Sequence, residues 1–215
     1  MRDKKTGLVD DLNDLKAFAE AMRPGELMMI SGAPGVGKTT LALRIAQALV
    51  GEESDAETGK SKRVLVFSPK HPSEFFIQNG LCRRRIYIDD FKRIDLTGID
   101  RRTRAMRRVF GVDLLIVDAI QSLREQPGAD RLMPADKTVQ GLKDLAEELK
   151  VPLILVSERP DAPFCGGACE LAAVGDLASA ADVTICLRRN ADTGKGSYCM
   201  SRKVESPELQ RDERS

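Results

Sequence analysis

The chain has 215 residues, of which 42% are hydrophobic and 31% charged, and its formal net charge at pH 7 is +1. The length fits one α/β domain with a sizeable core, and the balanced charge excludes a global field that would draw the chain to nucleic acid or to an anionic membrane. The charged start has no signal-peptide core and no apolar run could span a bilayer, so we expect a cytoplasmic protein without membrane contact.

Short apolar runs alternate along the chain with segments of helical period, a pattern typical of a mostly parallel twisted sheet with helices on both faces. The predicted strands are 27–31, 63–68, 85–89, 113–118, 152–157, 183–187 and 197–201. Helices are predicted over residues 9–22, 39–50, 96–110 and 136–150. We expect a single domain over residues 1–215, with frayed ends at 1–8 and 206–215 and exposed loops at 51–62 and 160–176.

Two of the predicted helices carry apolar residues at spacings of three and four, which predicts one buried stripe on each helix. In the helix at 96–110 the stripe consists of Leu96, Ile99, Thr103, Met106 and Phe110. In the helix at 136–150 it consists of Val139, Leu142, Ala146 and Leu149.

The five cysteines are odd in number and scattered, which does not indicate a disulfide framework. Cys186 and Cys199 lie in apolar, strand-like runs and are expected to be small core residues. Cys165 and Cys169 lie close together in a glycine-rich loop, but a zinc site would need two more ligands. The only histidine, His71, is far away in the sequence. We therefore interpret both loop cysteines as plain thiols.

Residues 32–39 read "GAPGVGKT", which satisfies the phosphate-loop pattern G-x-x-x-x-G-K-[ST] between an apolar strand and a helix-forming run. Glycines let backbone N–H groups converge on phosphates, and the helix start adds its partial positive charge. Lys38 is expected to reach the β- and γ-phosphates, and the Thr39 hydroxyl to bind Mg²⁺. The predicted nucleotide-binding residues are Ala33, Pro34, Gly35, Val36, Gly37, Lys38, Thr39 and Thr40. The expected ligands are ATP and Mg²⁺.

Asp118 ends the apolar run "VDLLIVD" and supplies a second candidate ligand for the metal. A strand that ends in aspartate places a carboxylate at the carboxyl edge of the sheet, where open α/β sheets bind their ligands. There it can hold Mg²⁺, usually through water.

With both motifs in place, the rest of the chain resembles the motor domain of bacterial replicative DNA helicases of the DnaB type, a RecA-like P-loop NTPase. The segments that carry the resemblance are "KTGLVDDLNDLKAF", "RPGELMMISGAPGVGKTTLALRIA", "IYIDDFKRIDLTGIDRRTRAMRRVFGVDLLIVDAIQSL", "LKDLAEELKVPLILVS" and "GDLASAADVTICLRR". The resemblance implies ATP hydrolysis coupled to translocation on single-stranded DNA and to unwinding in DNA replication. It also implies a ring-shaped homo-oligomer.

The chain departs from this family at the group expected to activate water. The family has a glutamate shortly after the second strand, and Lys70 occupies the matching place. An ammonium cannot act as a base unless its pKa falls by several units, and Glu74 is expected to open the next helix behind Pro72 rather than to substitute.

Two other residues of this region carry expected roles. Gln121 matches the family's glutamine after the metal-binding acid, which orients water or senses the γ-phosphate. The family's Ser-Gln at the next strand end is Ser157–Glu158 here, so Glu158 is either a relocated base or an ion-pair partner of Lys70.

The expected DNA contacts are also reduced. The family's Arg-Glu pair corresponds to Ala172 and Ala173, although Gly175 is kept and its backbone could contact a DNA phosphate. Basic side chains that act across the subunit interface correspond to Arg202 or Lys203. The cluster Arg101, Arg102, Arg104, Arg107 and Arg108 is either a solvated face, the reading that we favour, or a DNA contact.

Two functions therefore stay open. The first is an ATP-driven helicase-type motor. The second is a catalytically impaired nucleotide-binding accessory or regulator that docks on a replicative helicase. A RecA-like recombination mediator or a KaiC-like phosphotransferase shares the phosphate loop, but the "IYIDD" block points away from both.

Overall fold

The computed structural model describes residues 2–8, 15, 22–51, 62–80, 84–123, 134–158, 180–189 and 196–203. Its strands are β1 (Arg2–Leu8), β2 (Leu27–Gly32), β3 (Val64–Phe67), β4 (Ile86–Asp89), β5 (Leu114–Asp118), β6 (Leu153–Glu158), β7 (Val183–Arg189) and β8 (Gly196–Lys203). They form one eight-stranded sheet in the order β1-β8-β7-β2-β6-β5-β3-β4. The strands from β7 to β4 pair in parallel, whereas β8 is antiparallel to both of its neighbours. All seven predicted strands are confirmed.

The helices are α1 (Lys38–Val50), α2 (Ser73–Gln78), α3 (Leu96–Val109) and α4 (Ala135–Leu149). The helices predicted at 39–50, 96–110 and 136–150 are confirmed to within one residue at each end. Pro72 precedes α2 and Glu74 lies in its first turn, as expected. Most of the helix predicted at 9–22 lies outside the described residues.

Helices cover both faces of the sheet. Because successive strand residues point to opposite sides, each central strand contributes to two hydrophobic cores. Met28 and Ile30 of β2 belong to one hydrophobic core, which contains Leu43 and Ile45 of α1. Their neighbours Leu27 and Met29 belong to the other core, together with Ile99 of α3 and Leu142 of α4. The central strands are thus buried on both faces, which explains their continuous apolar sequence.

The stripe predicted on α4 is confirmed, since all four of its residues are buried. The stripe on α3 is confirmed in part: Ile99 and Thr103 are buried, and Leu96 and Met106 are half-buried against the same core. Phe110, in contrast, is 50% exposed and stacks on Tyr87 with ring centroids 5.8 Å apart. The reason is that α3 ends at Val109. Phe110 therefore follows the helix and its side chain leaves the buried face.

Residues 2–8 are not frayed, which corrects the expectation for the start of the chain. They form the edge strand β1, paired in antiparallel register with β8 from Arg2 opposite Lys203 to Leu8 opposite Ser197. The polar sequence "RDKKTGL" gave no strand signal because this strand is held by distant backbone pairing rather than by an apolar pattern.

Several expectations concern residues that the structure does not describe. They are the tail at 206–215, residues 52–61 and 160–176 of the two loops, Cys165, Cys169, Ala172, Ala173 and Gly175. Cys199 on β8 is buried, as expected of a core residue, whereas Cys186 on β7 is only half-buried and contacts the Ser31 hydroxyl at 3.3 Å. Within the described ranges, no helix combines the length and apolar composition needed to cross a bilayer.

Candidate nucleotide-binding site

Four parallel strands end side by side at one edge of the sheet, in the order β2, β6, β5 and β3. Gly32 at the end of β2 is in register with Glu158 at the end of β6. Asp118 ends β5, which lies between β6 and β3. The residues that the sequence analysis singled out around the phosphate loop therefore meet at this edge.

The phosphate loop is a tight turn that only glycine can make at two positions. Gly35 has φ 74° and Gly37 has φ 99°, both in the left-handed region that residues with a Cβ rarely adopt. A Cβ added at either residue would meet no atom within 4 Å, so open space lies over the loop. At Gly32, in contrast, a Cβ would lie 2.7 Å from the carbonyl oxygen of Leu187, so glycine there lets β7 approach β2.

Helix α1 presents its N-terminus to this open space. Gly37 is the N-cap and no described side chain caps the helix, so the first N–H groups stay available to an anion. The predicted nucleotide-binding residues differ in exposure: Ala33, Pro34, Gly35 and Thr40 are exposed, Val36, Gly37 and Thr39 are half-buried, and Lys38 is buried.

The Lys38 side chain folds back and contacts the backbone of the phosphate loop. Its ammonium donates a 2.8 Å hydrogen bond to the carbonyl oxygen of Ala33, and the residue is only 5% exposed. Burial lowers the pKa of Lys38, and the nearby Glu158 carboxylate opposes that effect. A buried cation without an ion-pair partner among the described residues suits an anionic ligand.

Asp118 is a buried carboxylate with an unused oxygen. The residue is 3% exposed, and its Oδ2 has no hydrogen-bond partner in the part of the chain that the structure describes. Burial raises the pKa of Asp118, while a hydrogen bond from the Thr39 hydroxyl opposes that rise. A carboxylate oxygen and a hydroxyl oxygen from different elements thus face each other, which is the donor set that Mg²⁺ prefers.

Gln121 ties the end of β5 to the end of β6. Its amide nitrogen lies 2.9 Å from Ser157 Oγ and 3.1 Å from the carbonyl oxygen of Glu158, and donates to both. The backbone N–H of Glu158 donates to the Gln121 carbonyl oxygen at 3.3 Å. The glutamine is therefore fixed beside the site, and its role towards water or phosphate stays a prediction.

Lys70 and Glu158 form an ion pair, the second of the two arrangements considered for Glu158. Their side chains are 42% and 31% exposed. The hydrogen bond from Lys70 lowers the pKa of the Glu158 carboxyl. Because β5 separates β3 from β6, this pair spans the end of the strand that carries Asp118.

Two further residues shape the site and were not predicted from the sequence. Asp90 follows β4 and accepts hydrogen bonds from the backbone N–H and the hydroxyl of Ser73, at 2.8 and 2.6 Å. These bonds hold the start of α2, just after Lys70. His71 stacks on Phe75 at 4.6 Å and acts electrostatically on the carboxylate of Asp118. The adjacent "KHPSE" and "IDD" motifs were the available signals.

The basic residues proposed to act elsewhere lie apart from this site. Arg202 forms an ion pair with the buried Glu26, which precedes β2 at the opposite edge of the sheet, and Lys203 follows it on β8. On α3, Arg102 pairs with Asp89 and Arg104 with Asp100 and Glu148. Arg101, Arg107 and Arg108 are exposed.

Comparison with known proteins decides the family. The family model described as "DnaB-like helicase C terminal domain" matches residues 7–85 and 77–195, which together cover most of the chain. The chain belongs to the DnaB-like helicase C-terminal domain family. The resemblance read from its motifs is therefore confirmed.

Two relatives illustrate the extent of the match. The replicative DNA helicase DnaB of Haemophilus influenzae is 26% identical over 191 residues, which cover 71% of this chain and 39% of that protein. The DnaB of Leifsonia xyli subsp. xyli is 25% identical over 217 residues, covering 86% of this chain and 47% of that protein. This DnaB-like chain thus spans less than half the length of either relative.

Solved structures show the same fold. One, described as an ATPase domain, matches with a TM-score of 0.57 and 19% identity, over 78% of this chain and 70% of that chain. The structure of a DnaB-like replicative helicase and its interactions with primase matches with a TM-score of 0.59 and 20% identity, over 79% and 49%. The RecA-like fold expected for this DnaB-like domain is confirmed.

Proposed function

We propose that this DnaB-like chain is an ATP- and Mg²⁺-binding motor domain that couples ATP hydrolysis to translocation on single-stranded DNA and to unwinding during DNA replication. It works in the cytoplasm, in a homo-oligomeric ring or docked on a replicative helicase. The observation that carries the proposal is the buried Asp118 carboxylate beside the glycine loop, which accepts from the Thr39 hydroxyl and keeps its Oδ2 without a partner among the described residues.

Each residue of the site has a defined task. The backbone N–H groups of the phosphate loop and of the first turn of α1 bind the phosphates, and Lys38 exchanges the Ala33 carbonyl for phosphate oxygens. Thr39 and Asp118 would hold the magnesium ion, which would supply positive charge that stabilises the phosphate oxygens.

The groups that act on water and on DNA complete the proposal. Gln121 orients the attacking water, and Glu158 accepts its proton once the carboxylate is free of Lys70. Gly175 contacts the DNA backbone, and Arg202 or Lys203 stabilises charge at a neighbouring subunit's site. The Glu26 contact of Arg202 must open for that purpose.

The experiment measures Mg²⁺-dependent ATP turnover by the purified chain, with and without single-stranded DNA, beside the variant Lys38→Ala. Turnover above that variant, stimulated by DNA, is the expected result. Nucleotide binding without turnover above Lys38→Ala refutes the motor and leaves the second candidate below.

The second candidate is a nucleotide-binding accessory or regulator without catalysis, derived from such a helicase. The Lys70–Glu158 ion pair favours it, because the pair neutralises the carboxylate that would activate water. In this case ATP raises the melting temperature without being consumed, and Lys70→Glu creates turnover. Brisk hydrolysis by the unmodified chain refutes this candidate.

A further inference from the structure

We propose that Lys70 is the residue that distinguishes ATP from ADP, by leaving Glu158 to bind the γ-phosphate. The inference rests on the proposed nucleotide site and concerns a side chain that departs from the family pattern. It gives the lysine a binding role that is independent of whether the chain hydrolyses ATP.

The position of the ion pair is the first support. Lys70 follows β3 and Glu158 ends β6, while β5 with Asp118 runs between these two strands. The Lys70 ammonium therefore extends over the end of β5, towards the metal-binding acid. Glu158 is also in register with Gly32, the residue at which the phosphate loop begins. The pair thus lies at the strand ends beside the phosphate loop, near enough to Lys38 for both of its charges to act on that ammonium.

The charges around the ammonium are the second support. Burial lowers the pKa of Lys38, and the charge of Lys70 lowers it further. The charge of Lys70 also acts on Asp118, where it opposes the rise in pKa that burial causes. Lys70 is therefore electrostatically part of the site that Lys38 and Asp118 form, not of a separate surface pair.

The exposure of the contact is the third support. The Lys70 side chain is 42% exposed, so leaving Glu158 requires little desolvation or repacking. A γ-phosphate carries more negative charge than one carboxylate, so it competes effectively for a lysine ammonium. ADP lacks that phosphate, so Lys70 stays on Glu158 when ADP is bound. The contact is therefore made for ATP only.

The test is calorimetric titration with Mg²⁺ and either ADP or the ATP analogue that has an imido group between its β- and γ-phosphates. Lys70→Met should weaken binding of the analogue by about tenfold, the scale of one hydrogen bond to a charged group, and leave ADP binding unchanged. Lys70→Arg should restore most of the loss. Lys62→Met is the matched control, because Lys62 is also exposed and pairs with Asp113 away from the site.

A double variant separates direct binding from charge repulsion, since Lys70→Met alone leaves the Glu158 carboxylate unneutralised beside the phosphates. The variants Glu158→Gln and Glu158→Gln/Lys70→Met should still differ by about tenfold towards the analogue and not towards ADP. Equal affinities of these two variants for the analogue would overturn the proposal. So would an equal loss for both nucleotides in Lys70→Met.

The outcomes also separate this inference from the proposed function. If the unmodified chain binds neither nucleotide, the nucleotide site itself is refuted and the inference falls with it. If the chain binds both nucleotides and loses both on Lys38→Ala, but Lys70→Met changes neither, the site stands and the role of Lys70 alone is refuted. The melting temperature of each variant without nucleotide confirms that it is folded.

Discussion

Replacing Asp118 with asparagine should make the ligand-free chain more stable while abolishing its response to Mg²⁺ and ATP. In the ligand-free chain the carboxylate is buried, and one of its oxygens has no partner among the described residues. Asparagine keeps an acceptor for the Thr39 hydroxyl and removes the charge. The Asp118 carboxylate, which suits the metal, should therefore destabilise the fold when no metal is bound.

The size of the effect follows from the contacts. An unsatisfied buried polar group costs about 1–3 kcal/mol and a charged one costs more, so the neutral amide should recover about 1–2 kcal/mol. For a chain of this size, that gain raises the melting temperature by about 2–8 °C. The measurement is thermal unfolding near neutral pH, with and without Mg²⁺ and ATP.

Asp113, which lies next to the same strand, provides a control for which the opposite effect on the melting temperature is expected. Asp113 precedes β5 at the other edge, and its two oxygens accept from Lys62 Nζ and from the backbone N–H of Arg63, each at 2.9 Å. Because Asp113→Asn removes the ion pair with Lys62 and one of these two hydrogen bonds, it should lower the melting temperature slightly. If Asp118→Asn also lowers it, burial of an uncompensated charge is the wrong description of Asp118.

The pH dependence provides an independent check on the same residue. Burial raises the pKa of Asp118 above its unfolded value, so the folded state binds this proton more tightly than the unfolded state. Ionisation of Asp118 therefore costs folding free energy only at a pH above its pKa in the unfolded chain, and the cost reaches its full size above its pKa in the folded chain. The advantage of Asp118→Asn should be full at neutral pH and disappear in acid. Magnesium-dependent binding by the unmodified chain should weaken as pH falls through the same raised pKa.

Three substitutions test other parts of the structure. Gly37→Ala should cost about 1–2 kcal/mol of stability and weaken nucleotide binding, because a φ of 99° strains any residue with a Cβ even though the added Cβ would meet no neighbouring atom. Denaturant unfolding and titration with ADP measure the two effects, and a neutral result would contradict the left-handed loop. Arg202→Met should destabilise the chain by about 2 kcal/mol, because it removes the cation from the buried Glu26, which keeps a hydrogen bond from the backbone N–H of Arg23. Suppression of the loss by a second change, Glu26→Gln, would confirm the pairing. Asp95→Ala should cost about 1 kcal/mol of stability, because the Asp95 side chain caps α3 by accepting from Gly98 N–H at 3.0 Å. Asp95→Asn keeps an acceptor, so it should lose less stability in the same unfolding experiment.

Features of the site that depend on local sequence could be predicted, and those that depend on strand order could not. The glycine spacing of the phosphate loop dictates its backbone, and an apolar run ending in Asp118 places that acid at a sheet edge wherever the strand lies. Whether Glu158 faces Lys70, in contrast, depends on which strand separates β3 from β6. From the sequence alone, Glu158 could be either a base or the ion-pair partner of Lys70, and the folded arrangement of the strands brings it to Lys70.

The fold shows the same division between local and distant causes. The central strands and the stripe of α4 were predictable because burial leaves a continuous or periodic apolar pattern. The edge strand β1 was missed because its residues are polar and it forms by pairing with β8, almost two hundred positions away. Phe110 was misplaced because the end of α3 decides its direction, and helix ends are the least certain part of a periodic pattern.

The side chains at the strand ends connect nucleotide contacts to the sheet in two different ways. Gln121 binds β6 through three hydrogen bonds, two of them to the backbone of Glu158, so the ends of β5 and β6 should move together whichever nucleotide is bound. The end of β3 is joined to β6 through the exposed Lys70–Glu158 pair, which a competing anion can replace. Asp90 in turn fastens Ser73, just after Lys70, to the end of β4. A ligand that withdraws Lys70 from Glu158 should therefore loosen only the segment that follows β3, because backbone pairing holds β3 on β5 and Gln121 holds the end of β5 on β6.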